Sequence, residues 1–135
     1  MLVAAAGGGN AMVFGAGNYN LHATGSTVTG RMALNKHTVA LAAYDVDLSV
    51  PIALTFSKFN VYLHQNSLSD IVTLKFQHDA ADGNQVVTFS SGVAGIGQDT
   101  SNEDSLDIGD TASYLITTDS SSGFCSHVSL ACKIE

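Results

Sequence analysis

The stretch FNVYLHQNSLSDIVTLKFQHDAADGNQVVTF, from Phe59 to Phe89, decides the fold. Its apolar residues recur at every second position, the period of a strand and not of a helix. Phe59, Val61 and Leu63 point one way, and Asn60, Tyr62 and His64 the other. After a turn over Asn66 to Asp70, Val72, Leu74 and Phe76 alternate with Thr73, Lys75 and Gln77. Asp82-Gly83-Asn84 is a tight-turn signal, and the strand behind it turns Val87 and Phe89 inward.

The same period runs outward in both directions. Upstream, Val28, Met32 and Leu34 share a side, as do Val39 and Leu41. Tyr44, Val46, Leu48 and Val50 then alternate with Asp45, Asp47 and Ser49, so the parity changes near Ala42 to Tyr44, where a bulge or short turn is expected. Pro51, the single proline, marks an edge or a strand boundary. Downstream, TASYLITT is a strand, Asp119 to Gly123 a turn, and FCSHVSLACKIE a closing strand. No segment carries the pattern of an amphipathic helix. Strands with one apolar face must pair that face with another sheet. The expectation is therefore all-β: an antiparallel β-sandwich of eight to ten strands, of jelly-roll type, with an immunoglobulin-like sandwich as the other arrangement. Residues 27–135 form that sandwich, and residues 1–26 an extended Ala/Gly-rich N-terminal arm.

Composition narrows the functional classes. The 135 residues fit one domain, and only 13% are charged, about half the usual share. Such a surface relies on Ser, Thr, Asn and Gly for solubility, or is covered by a partner. The net charge of -7 and five scattered basic residues (Arg31, Lys36, Lys58, Lys75, Lys133) argue against nucleic acid as a partner. No apolar run approaches the roughly 18 residues of a membrane span, so no membrane partner is expected. The opening MLVAAAGGGNAMVFGAG lacks a basic leader segment and is broken by glycines, unlike a secretion signal.

Cys125 and Cys132 are the only cysteines. On a continuous strand they fall on opposite faces, roughly 23 Å apart at ~3.3 Å per residue, beyond the reach of a disulfide. Free thiols are expected; a bridge would need a turn at about Ser126.

The chemistry-bearing groups give no recognisable constellation. SSGVAGIGQDTSNEDSLDIGDTASY, Ser90 to Tyr114, holds Asp99, Glu103, Asp104, Asp107 and Asp110. GIGQD matches the Gly-x-Gly-x-Asp turn of calcium-binding β-rolls, but those need tandem copies. An EF-hand loop starting at Asp99 would need glycine sixth, where Asp104 stands. The stretch reads instead as two β-connections with acids facing water, its glycines serving tight turns or close backbone approach, and Gly109-Asp110 turning into the next strand. Nothing near Glu103 and Asp104 supplies the apolar pocket that acid–base catalysis requires. His22, His37, His64, His78 and His127 form no H-x-H or H-x-x-x-H pair, so zinc would have to be assembled from distant strands. His64 and His127 point outward and suit a subunit contact. There is no Gly-x-Ser-x-Gly elbow, AAAGGGNA lacks the strand and lysine of a phosphate loop, and the absence of Trp disfavours a sugar platform. No catalytic, cofactor-binding or metal-binding residue is assigned, and the chain is expected not to be an enzyme.

The order of turns and strands over the C-terminal 80 or so residues resembles tailed-phage and phage-derived structural proteins. The pieces that carry it are FNVYLHQNSL, IVTLKFQHDAADGNQVVTF, SSGVAGIGQDTSNEDSLDIGDTASYLITT and SHVSLACKIE. The resemblance implies a jelly-roll virion component, made in the host cytoplasm and mounted on the capsid exterior. It would be a head decoration or cement protein, or alternatively a tail or fibre receptor-binding or adhesin-like module. Implied partners are the major capsid protein and further copies of the chain, as a homotrimer. No shared catalytic residue comes with it. MLVAAAGGGNAMVFGAGNYNLHATGS lies outside the pattern and is where a specific contact with a neighbour would sit.

Overall fold

Period-two burial is what the computed structural model shows. It describes the backbone of residues 2–3, 10–22, 28–32, 39–40 and 48–135, and side chains from Ser49 onward. Among the described residues there are eleven strands and no helix: β1 (Leu2–Val3), β2 (Asn10–His22), β3 (Val28–Met32), β4 (Val39–Ala40), β5 (Leu48–Ser49), β6 (Leu54–Asn66), β7 (Val72–His78), β8 (Ala81–Phe89), β9 (Gly95–Leu106), β10 (Thr111–Thr118) and β11 (Phe124–Ile134). They form two antiparallel sheets, β1-β2-β11-β6-β9 and β4-β3-β10-β7-β8, with β5 also on β10. The chain is an all-β sandwich.

Its longer strands pair in a nested order. β2 pairs with β11, β3 with β10, β6 with β9, and β7 with β8. The outermost strands in sequence are thus partners, as in one long hairpin, and the pairings β6–β11 and β7–β10 fold that hairpin over on itself. This order takes Asn10–His22, placed in the arm from sequence, into the sheet against β11. Residues 1, 4–9 and 23–26 of the arm, Leu34, Leu41 and the parity change near Ala42 to Tyr44 lie outside the described residues.

Aromatic side chains join the two layers. Phe56 and Phe59 hang from β6, Phe76 from β7 and Tyr114 from β10, all fully buried. Phe59 stacks on Tyr114 at 4.4 Å, Tyr114 meets Phe76 edge-on at 5.4 Å, and Phe76 tilts against Phe56 at 5.2 Å. Val61, Leu63, Val72, Leu74, Val87 and Phe89 fill the space around them, as the alternation predicts.

Two bulges decide which side chains join that core. In β6 the register slips between Ser57 and Phe59, and Lys58 sits at φ 55°. In β11 it slips between Ser126 and Val128, with His127 at φ 54°. Each extra residue flips the pleat, so Phe56 and Phe59 both face inward, and so do Cys125 and Val128. Cys125 therefore shares the core side with Cys132, against the opposite faces expected of a continuous strand. Both cysteines are buried and neither forms a disulfide. Burial pushes the Cys132 thiol up to about 12, although the Tyr114 hydroxyl beside it pulls the other way.

The turn between β7 and β8 is also displaced from its sequence signal. It is made by Asp79 and Ala80, at φ 48° and 63°, with His78 paired to Ala81. Two consecutive left-handed residues are what a two-residue hairpin demands. Asp82-Gly83-Asn84 belongs to β8, beside a register shift between Lys75 and Gln77. Gly83 serves close approach: a Cβ there would lie 2.7 Å from Asp104 Oδ1 and 2.8 Å from Phe76 Cδ1. The shift also buries Gln77, expected to face solvent, where its amide donates to Asp82.

Gly97 on β9 is a second such contact. A Cβ there would approach Val87 Cγ1 to 2.5 Å and Phe89 Cζ to 2.8 Å. Gly97→Ala is expected to cost about 1–3 kcal/mol by overpacking. Urea unfolding reads this as a lowered midpoint at unchanged slope; an unshifted midpoint would mean that β8 and β9 do not press together here.

Candidate functional site

The acidic stretch is not a pair of connections. Its centre is β9, the last strand of its sheet, lying beside β8, the last strand of the other. No ladder joins these two strands; side-chain carboxylates span the seam. Asp104 Oδ1 accepts the Asn84 N–H at 2.7 Å, and its Oδ2 the Gln85 N–H at 3.0 Å. Asp99 Oδ2 accepts the Val86 N–H at 3.0 Å, and its Oδ1 those of Ser101 and Asn102, both at 3.1 Å. Gln85 is fully buried and its side-chain amide donates to the Phe56 carbonyl of β6.

The expectation that these acids face water is therefore wrong for two of them. Asp99 and Asp104 are 7% and 5% exposed. Their oxygens receive backbone N–H donors, which is the work of a structural anion and not of a calcium ligand. Burial alone would raise the Asp99 carboxyl. The hydrogen bonds from the Asn102 side chain and the amides of Val86, Asn102 and Ser101 outweigh it and hold the group at about 2. Glu103 and Asp104 point to opposite sides of the pleat, so they form no catalytic pair: Glu103 and Asp107 are exposed, Asp110 half-buried.

The histidines with described side chains fall into two places. His64 on β6 and His127 on β11 are both exposed, as expected, and lie against each other edge-on at 5.3 Å. Tyr62 Oη is 3.5 Å from His64 Nδ1, and Tyr62 pairs across the strands with Ile96. Ile96 and Tyr62 are 70% and 45% exposed, so one outer face carries a patch of two large apolar residues and two imidazoles. His22 ends β2 and its side chain is not described; His37 lies outside the described residues.

His78 ends β7 at the other place. Its Nε2 is 2.8 Å from Asp110 Oδ2 and 3.8 Å from Asp79 Oδ2. Two strands and two connections build this cluster. Asp79 N–H donates to the Thr111 carbonyl at 3.0 Å, and Thr111 N–H returns to Asp79 Oδ1 at 2.7 Å. Asp110 Oδ2 also accepts the Asp107 N–H at 2.8 Å. That amide first, then the His78 ring, lower the Asp110 carboxyl despite some burial. Sequence reading passed over this trio because His78 and Asp79 are adjacent while Asp110 is 31 residues further on. The nearest signal was Gly109-Asp110, which does form the connection into β10 as expected.

No protein-family description matches the chain, and no curated protein or solved structure matches it either. The site's chemistry rests on the geometry alone.

The seam makes two expectations. Asp104→Asn places an N–H2 where two amides need an acceptor and should cost about 1–3 kcal/mol in urea unfolding; wild-type stability would remove Asp104 from the closure. Asp99, lowered from 3.8 to about 2 in the fold, contributes fully above its unfolded value and loses that contribution as pH falls toward 2. Unfolding free energies measured stepwise between about pH 5 and 2 should fall more steeply for the wild type than for Asp99→Asn, and equal slopes would contradict this assignment.

Proposed function

We propose that this chain is a non-enzymatic structural protein of a phage virion, acting as a decoration or cement protein on the capsid exterior. The observation that supports the reading is the nested strand pairing, which accords with a jelly roll, around an interior filled by Phe56, Phe59, Phe76 and Tyr114. Jelly rolls serve viral capsids, lectins and cupins. A cupin needs an open interior, and the aromatic packing argues against that use. The partners are the major capsid protein and further copies of the chain in a homotrimer, and synthesis is in the host cytoplasm. The work done is burial of surface. The Ile96–Tyr62 patch, flanked by His64 and His127, supports it, because contiguous exposed apolar area marks protein contact.

A tail or fibre receptor-binding module is the second reading. An open groove of about 370 Å³, lined by Asp70, Ile71, Thr73, Thr117, Thr118 and Asp119, favours it. Its hydroxyls and carboxylates match a polar ligand such as a glycan, and its size is at the low end of small-ligand sites.

Cosedimentation with phage heads stripped of decoration protein separates the two. The full chain should pellet with the heads and raise their resistance to heat. A chain lacking residues 1–9, which removes the two-residue edge strand β1 and leaves β2 in place, should bind at least ten-fold more weakly while keeping its urea midpoint within about 1 M of the full chain. Failure of the full chain to bind heads, together with a positive glycan array, would replace the first reading with the second.

A further inference from the structure

We infer that His78, Asp79 and Asp110 form a binding site for a divalent first-row transition ion, with zinc as its natural probe. The candidate ligand atoms, one nitrogen and two carboxylate oxygens, all lie within 4.8 Å of one another. Bonds of about 2.0–2.2 Å to a tetrahedral ion place ligand atoms about 3.4 Å apart. The two measured separations from His78 Nε2, 2.8 and 3.8 Å, bracket that value. His78 and Asp79 are also more than a third exposed, so rotation of their side chains closes the remaining gap.

The surroundings are those of a ligand set and go beyond a chance surface pair. A metal-bound carboxylate is steadied by hydrogen bonds to its other lone pairs. Asp79 Oδ1 accepts from both the N–H and the Oγ1 of Thr111, at 2.7 and 3.2 Å, which leaves Oδ2 as the atom turned toward His78. Asp110 Oδ2, the oxygen that faces His78, also accepts the Asp107 N–H, which fixes it and leaves it one lone pair for the ion. Backbone bonds between residues 79 and 111, and between Val50 and Gly109–Asp110, hold the two connections in register.

The ligand types select the ion. Imidazole nitrogen with two carboxylates suits zinc and its neighbours, whereas calcium takes six to eight oxygens and no nitrogen. Two carboxylates neutralise the ion's charge, and the chain's net charge of -7 favours its approach. On binding, His78 Nε2 exchanges its contact with Asp110 for the metal: a protonated ring releases its Nε2 hydrogen to solvent, and a neutral ring with hydrogen on Nε2 gives it up while Nδ1 takes one from solvent. The fourth position is open to water or to a ligand from another chain.

Titration calorimetry on the chelator-treated, dialysed full chain tests this with ZnCl2 and, separately, CaCl2. One zinc per chain is expected, with a rise in Tm at saturation. His78→Gln and Asp79→Asn, the second of which keeps an acceptor for Thr111, should each weaken zinc binding at least ten-fold; His64→Ala should leave it unchanged. The assignment is overturned by absence of both heat and Tm shift, by wild-type affinity in both His78→Gln and Asp79→Asn, by loss of binding in His64→Ala, or by calcium binding as tightly as zinc.

Discussion

Two carboxylates hold one side of this sandwich shut. Where β8 and β9 run side by side they belong to different sheets and exchange no ladder bonds, so three consecutive amides of β8, at Asn84, Gln85 and Val86, would otherwise lack partners. Asp104 takes two and Asp99 one. Gln85, fully buried beneath them, then reaches back to β6, and Gly83 and Gly97 let the backbones come close enough for the carboxylates to reach. The aromatic chain between layers depends on the same closure, because Phe76 lies directly under Gly83. Edge strands with free amides recruit strands from other molecules. Here those amides of β8 are occupied by anions of the chain itself, and Glu103 adds an exposed charge on β9.

The fold was legible wherever burial and period agreed. From Phe59 to Phe76 and again at Val87 and Phe89, each apolar residue expected inside is inside, because each strand has one face on the core. The misplacements share one cause, which is that long-range contacts overrule local signals. Asp82-Gly83-Asn84 has the composition of a hairpin turn, yet the glycine is required by Asp104, 21 positions away, and the turn falls on Asp79-Ala80. Lys58 and His127 carry no sequence sign that they adopt left-handed backbone, so the parity reversals at Ser57–Phe59 and Ser126–Val128 are invisible to an alternation count.

The candidate sites were less legible for a related reason. The acids of β9 look alike in sequence, but the pleat sends Asp104 to the seam and Glu103 to solvent, while a local slip in register places Asp99 with Asp104. His78 and Asp79 acquire a third member only because β7 and β10 are neighbours, and His64 meets His127 only because β6 and β11 are. A pleated sandwich assembles its chemistry across strands. Linear motifs are the wrong place to seek it, and sheet order is the right one.

The two sulfurs of the core have an implication for where the protein can live. Cys125 and Cys132 are buried and unbridged, and Cys132 stays almost wholly protonated at neutral pH. A thiol without thiolate character is inert to oxidants and to exchange with disulfides. At Cys132 the core therefore resists oxidants, and the fold is complete without a crosslink at either sulfur. It can be completed where thiols stay reduced, since no bond of the fold has to wait for an oxidant.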